Sequence, residues 1–126
     1  MQVGHVERSN ISTLKITNII QEPINPTTET DSVSITADIS SNAEIVDVDR
    51  MYVAFLPTGT SGGSGSVSHS DDGIYGFEIE LTSGGVYSMS GEEEPYPKGT
   101  KVYYKIAAKD ELGNTAVTPT YSFTVN

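Results

Sequence analysis

Apolar and polar residues alternate along most of the chain with the period of two that is typical of β-strands. The clearest case is Ser32–Ser40, where Val33 and every second residue after it are apolar and the residues between them are polar. The same alternation predicts further strands at Ser12–Ile20, Ile74–Leu81, Thr100–Asp110 and Thr118–Val125, and a short one at Val86–Met89. No segment has the spacing of an amphipathic helix.

Ile45–Leu56 is apolar on both faces, which is typical of a central strand or of a strand whose outer face is covered. One face holds Met51, Val53 and Phe55, and we expect Val53 and Phe55 to point inward. The predicted core is Leu14, Ile16, Val33, Ile35, Ala37, Ile39, Val53, Phe55, Phe77, Ile79, Val102, Tyr104, Ile106, Ala108, Phe123 and Val125.

Segments rich in Gly, Pro, Ser and Thr separate these strands and predict loops. Gln21–Ser32 contains two prolines, Pro57–Gly73 has the glycine and serine content of a mobile loop, and Gly91–Pro97 is polar. The pattern assigns no role to the long segments 57–73 and 82–97. About seven short strands with regular turn signals predict an all-β fold in which two antiparallel sheets form a sandwich.

Composition narrows the classes of function. Val and Ile outnumber Leu and Ala, which favours sheets over helices. Seven basic residues stand against 17 acidic ones, for a net charge of −10. This balance argues against a nucleic-acid partner, because phosphates need a basic surface. The chain has no cysteine, which excludes disulfides and thiol chemistry, and no apolar stretch is long enough to predict membrane insertion.

The two ends of the chain differ in character. Residues 1–10 are polar without an apolar run, so they are no signal peptide, and we expect a disordered leader or an expression-derived addition. Residues 11–126 are expected to form the sandwich domain. The last residues stop inside a strand pattern, which favours a domain cut from a larger protein.

The second half of the sequence carries motifs of a known family. Asp72–Ile79 (DGIYGFEI) resembles the D-G-x-Y strand of bacterial immunoglobulin-like and fibronectin type III-like domains. Pro97–Asp110 (PKGTKVYYKIAAKD) resembles the P-x-G-T-x-V-Y-Y-x-I-x-A-x-D strand that follows it, and Glu111–Thr115 resembles the G-N turn into the last strand. The segment between Leu81 and Pro97 is longer than the family's short link, and the loop before Asp71 is also enlarged.

The resemblance implies an immunoglobulin-like, fibronectin type III-like antiparallel sandwich from an exported multidomain bacterial protein, placed outside the cell or on its surface. Such domains are non-catalytic spacers or interaction modules without cofactors, and their partners are neighbouring domains, proteins or glycans. The alternative is a glycan-binding accessory module that uses loop aromatics, and a small hydrolytic domain is a further one. The motif is specific for a fold and not for a function.

Three tyrosines are the candidates for glycan contact, because sugars are often bound by flat aromatic faces beside polar groups. Tyr87 and Tyr96 lie in the lengthened segment, and Tyr103 is expected on the outward face between two lysines. The alternative for all three is edge packing.

Four aspartates are weak calcium candidates, since calcium prefers several hard oxygen ligands. Asp47 and Asp49 share a strand face, and Asp71 and Asp72 are adjacent, but no D-x-D-x-D-G loop is present. Solvated surface acids are the alternative, and we predict no bound metal.

No catalytic residue is predicted. His69 stands beside Ser68, Ser70 and Asp71, but a triad requires convergence in space, and a glycine-serine loop holds a nucleophile poorly. Glu92–Glu94 is a charge run typical of a solvated loop. Three lysines share one face of a single strand, where they would pair with Asp47 or Asp49 or would contact an acidic partner. They are Lys101, Lys105 and Lys109.

Overall fold

The computed structural model describes residues 13–57, 59–69, 72–82, 86–87 and 93–126, and within these ranges the chain forms strands, turns and loops without a helix. Eleven strands are present in this part. They are β1 (Lys15–Glu22), β2 (Ser32–Ser40), β3 (Ile45–Leu56), β4 (Gly59–Ser66), β5 (Ser68–His69), β6 (Ile74–Glu80), β7 (Val86–Tyr87), β8 (Glu93–Glu94), β9 (Lys101–Asp110), β10 (Thr115–Val117) and β11 (Tyr121–Thr124).

The strands form two antiparallel sheets that enclose one core. The first sheet has the order β1-β2-β6-β5. The second has the order β10-β9-β3-β4, and β11 also pairs with β9. The short strands β7 and β8 pair with each other. The prediction of an all-β sandwich of two antiparallel sheets is confirmed, and its count of about seven strands lacked β4, β5, β8 and β10.

The core lies where alternating residues of both sheets meet. The inward positions of β2, β6 and β9 are buried as the pattern predicts, and Val33 is fully buried. Leu14, just before the edge strand β1, and Ile16, within it, are only partly buried and pack against the core. The buried apolar residues are Val33, Ile35, Ala37, Ile39, Val48, Ala54, Tyr75, Phe77, Ile79, Leu81, Tyr96, Val102, Tyr104, Ile106, Ala108, Phe123 and Val125.

The inward assignment of β3 was wrong. Val53 is 36% exposed and Phe55 is 48% exposed, whereas Ala54 is fully buried. Pairing with β9 decides which side chains of β3 point inward, because Ala54 lies opposite the buried Val102 and Phe55 lies opposite Lys101. Successive side chains of a strand point to opposite faces, so a strand that is apolar on both faces does not reveal which face is inside.

The prediction of a mobile loop over Pro57–Gly73 was also wrong, because this segment contains β4 and β5. β4 pairs with β3 along its whole length, from Gly59 opposite Leu56 to Ser66 opposite Asp49. A Cβ at Gly62 would overlap the carbonyl oxygen of Tyr52, so the strand requires glycine there. A strand built of Gly and Ser has no apolar alternation, and the sequence pattern therefore missed it.

Asp110 closes the turn between β9 and β10. It is buried, and its carboxylate accepts hydrogen bonds from the backbone N–H groups of Leu112 and Asn114 at 3.0 Å, from the Asn114 amide at 3.3 Å and from the Ser41 hydroxyl at 3.2 Å. Burial alone would raise the pKa of Asp110, but these bonds to the charged form outweigh it and lower the pKa below its ordinary value.

Candidate binding face

The outer face of the second sheet carries exposed apolar side chains, among them Val53 and Phe55. Outward residues of β3 and β9 lie side by side there, with Val53 opposite Tyr103 and Phe55 opposite Lys101. Adjacent exposed apolar side chains on a soluble protein often mark a contact surface. We call this surface the outer-face patch, and its members are Met51, Val53, Phe55, Lys101, Tyr103 and Lys105.

An aromatic pair forms the centre of the patch. The rings of Phe55 and Tyr103 meet edge to face, with their centroids 5.6 Å apart and an interplanar angle of 83°. The Nζ of Lys101 lies 5.5 Å from the centroid of the Tyr103 ring, within the range of a cation–π contact. These contacts order the side chains before any partner arrives, which lowers the entropy cost of binding.

A shallow depression of about 240 Å³ opens beside this pair. Met51, Val53, Tyr103, Lys105 and Thr120 are among the residues that line it. Pockets for drug-sized ligands occupy about 300–1,000 Å³. The depression is therefore suited to one small unit of a ligand that extends over the surrounding face.

Hydroxyl groups border the patch on both sides. On β4, Thr60 lies opposite Phe55 and Ser64 lies opposite Met51. On the other side, Ser122 pairs with Tyr103 and Thr124 pairs with Lys101. A hydroxyl both donates and accepts hydrogen bonds. Gly62, opposite Val53 on β4, has no side chain, so nothing protrudes from β4 between Thr60 and Ser64.

The lysines of the patch form no ion pair with a described residue. Lys101 and Lys105 lie across from Phe55 and Met51, and no described carboxylate forms an ion pair with either. Lys109 differs, since Asp47 is its cross-strand neighbour, as the sequence analysis predicted. Two cations thus remain available at the aromatic end of the face.

The three candidate tyrosines occupy different environments. Tyr103 is half-buried within the patch, where the alternation predicted an outward residue. Tyr96 is only 1% exposed, so its ring packs in the core and offers no surface for a sugar. Burial raises the pKa of Tyr96, and a hydrogen bond with Ser61 of β4 opposes this shift. Tyr87 belongs to β7, and its side chain lies outside the described part of the structure.

The calcium candidates do not come together among the residues that can be placed. Asp47 and Asp49 lie on the outer face of β3, with a lysine opposite Asp47, and Asp72 is exposed. Within the described ranges, no group of three Asp, Glu or His side chains could hold a metal ion. Asp71 lies outside those ranges.

The Ser–His–Asp group considered for catalysis lies mostly outside the described residues. His69 is in β5 without a described side chain, and Ser70 and Asp71 are outside the described residues. Glu93–Glu94 forms β8 in the segment expected to be a loop. A larger depression of about 640 Å³ is lined by Glu44, Asp47 and Tyr75 among others. Val67 and Gly73, which precede and follow the undescribed residues 70 and 71, also line it.

Sequence reasoning missed Val53 and Phe55 as surface residues. The lysines of β9 reveal its outward face, but nothing in the sequence of β3 shows which of its two apolar faces points outward.

No family model matches the chain, and no curated protein matches it either. The described residues contain no helix with the length and apolar character needed to cross a membrane.

Proposed function

We propose that the chain is a non-catalytic immunoglobulin-like, fibronectin type III-like module that acts as a spacer or interaction domain in an exported bacterial protein. The strand order is the observation that carries this proposal. Immunoglobulin-like sandwiches place strands A, B, E and D in one sheet, and G, F and C, sometimes with C′, in the other. The orders β1-β2-β6-β5 and β10-β9-β3-β4 support the proposal, because they can be matched to A-B-E-D and to G-F-C-C′.

The interaction role is supported by the outer-face patch. Phe55 and Tyr103 are ordered by mutual contact on a rigid sheet, and a sheet positions side chains better than a loop does. The placement outside the cell rests on the sequence motifs around Asp72–Ile79 and Pro97–Asp110.

The proposal is tested by screening the purified chain for turnover and for binding in parallel. A panel of glycoside, ester, peptide and phosphate substrates reports hydrolysis, and glycan and protein arrays with calcium or with chelator report binding. We expect no turnover. Reproducible hydrolysis that follows the chain through every purification step would overturn a non-catalytic module.

A second candidate function is glycan binding, and the exposure of the Phe55–Tyr103 pair favours it. Of the two loop tyrosines expected to carry this function, Tyr96 does not support it because its side chain is buried. The side chain of Tyr87 lies outside the described part of the structure. A saturable array signal that disappears in a Tyr103→Ala variant would support the glycan-binding module. An unchanged signal in that variant would remove the patch as the site.

A further inference from the structure

We propose that the outer-face patch binds an acidic polysaccharide, with sugar rings against Tyr103 and Phe55 and anionic groups of the polymer paired with Lys101 and Lys105. This inference rests on the interaction role proposed above. It names the ligand class and assigns it to residues on the sheet face rather than to the lengthened loops.

Charge selects an anionic ligand. Three of the chain's seven basic residues lie on this face of a chain whose net charge is −10. Asp47 and Asp49 also lie on it, towards Lys109 and away from Phe55. Lys101 and Lys105 form no ion pair with a described carboxylate, so a ligand anion would displace water rather than break an existing ion pair. Complementary charge gives specificity and speeds encounter.

The shape of the face selects an extended polymer. Lys101 and Lys105 are four residues apart on one strand, which separates their Cα atoms by about 13 Å. A single sugar ring is shorter than this distance, whereas several linked sugars span it and pass over Tyr103 midway. The depression of about 240 Å³ beside Tyr103 would receive one ring of the chain.

The polar surroundings favour a glycan over an acidic peptide. Hydroxyls of Thr60 and Ser64 lie along one side of the patch, and those of Ser122 and Thr124 lie along the other. Such groups suit a ligand that presents hydroxyls along both edges. A peptide that adds to a sheet requires a free strand edge, whereas the patch lies on the face of β3 and β9, which are paired on both sides.

The test measures affinity for polygalacturonate in the presence of a chelator, with neutral dextran and poly-L-glutamate as comparison polymers. We expect the intact chain to bind polygalacturonate more tightly than either comparison polymer and to lose affinity as salt rises. The double variant Lys101→Gln/Lys105→Gln and the single variant Tyr103→Ala should each weaken binding at least about tenfold. The matched variants Lys15→Gln and Lys98→Gln, which remove exposed lysines elsewhere, should not.

Four results would overturn the inference. They are no binding to any polymer, equal binding to dextran, equal binding to poly-L-glutamate with no effect of Tyr103→Ala, and self-association of the chain through the patch. Should Tyr103→Ala lose its circular dichroism spectrum, Phe55→Ser takes its place. None of these results would show hydrolysis, so the proposal of a non-catalytic module would stand. Hydrolysis in the substrate panel would remove that proposal without altering the binding data.

Discussion

The hydroxyl of Tyr104 donates a hydrogen bond of 2.8 Å to Oε1 of Gln21, and this bond joins the two sheets. Gln21 is held in place because its amide nitrogen donates to the carbonyl oxygens of Pro23 and Ile24. The Tyr104 ring also contacts Phe77 of the first sheet, with 6.4 Å between centroids. Tyr104 therefore combines a polar and an aromatic link across the sandwich.

Removing this hydroxyl should destabilise the fold. In Tyr104→Phe the Gln21 oxygen loses its donor inside the sandwich, and we expect the free energy of unfolding to fall by about 0.5–1.5 kcal/mol. Chemical denaturation at neutral pH measures the loss. The control is Tyr103→Phe on the outer face, which should unfold like the parent chain. Equal losses in the two variants would mean that the bond to Gln21 contributes nothing specific.

Tyr104 should also make the chain sensitive to alkali. Burial, followed by the charge of Tyr121, raises the pKa of Tyr104 to about 12. An unfolded tyrosine ionises near pH 10. The folded state therefore holds a proton that the unfolded state has released, and stability should fall as the pH rises from about 10 towards 12. Denaturation across this range should show a shallower decline for Tyr104→Phe, and an identical decline would contradict the assignment.

Asp110 should make the fold sensitive to acid. Its pKa is lowered in the folded state, so its contribution is present above the unfolded pKa and is lost as the pH falls through the folded value. Asp110→Asn replaces an acceptor oxygen with an NH₂ group that faces N–H donors. We expect a lower midpoint of thermal unfolding and a weaker dependence on acid pH. Asp47→Asn, at an exposed position, should behave like the parent, and a parent-like Asp110→Asn would refute the role of this turn.

Two neighbouring glycines offer a matched test of β4. In Gly62→Ala the new Cβ would overlap the Tyr52 carbonyl oxygen and lie 2.9 Å from the Cα of Val53, so we expect a loss of about 1–3 kcal/mol. In Gly63→Ala nothing lies within 4 Å of the new Cβ, and we expect a gain of about 0.4–1 kcal/mol because the unfolded chain becomes less flexible. Thermal unfolding compares the two. Similar midpoints would argue that β4 does not pair closely with β3.

The phase of β3 is tested by two phenylalanines. Phe77 is buried in the core, and Phe77→Ala should cost about 3–5 kcal/mol. Phe55 is about half exposed and its ring contacts Tyr103 on the outer face, so Phe55→Ala should cost only about 1 kcal/mol. Denaturant titration resolves this difference. A cost at Phe55 as large as that at Phe77 would restore the inward phase that the sequence pattern favoured.

The sequence by itself determined much of the fold. Alternation with period two located β2, β6 and β9, and it gave the buried face wherever one face was polar, as in Val33 and its inward neighbours. A run that is apolar on both faces located β3. The outward position of Tyr103 between two lysines followed from the same rule. These predictions succeed because a strand that is polar on one side has only one favourable orientation towards a core.

Only the tertiary structure decided the phase of β3, the existence of β4 and the environment of Tyr96. Val53 and Ala54 are both apolar, and pairing with β9 alone determines which of them points outward. β4 is held by backbone hydrogen bonds to β3, and Gly and Ser leave no apolar trace of that pairing. Tyr96 follows a polar run, yet its side chain is buried in the core. Its backbone N–H donates a hydrogen bond to the carbonyl oxygen of Leu81, which is distant in the sequence. The outer-face patch depends on the long-range pairing of β3 with β9, because this pairing brings Phe55 beside Tyr103.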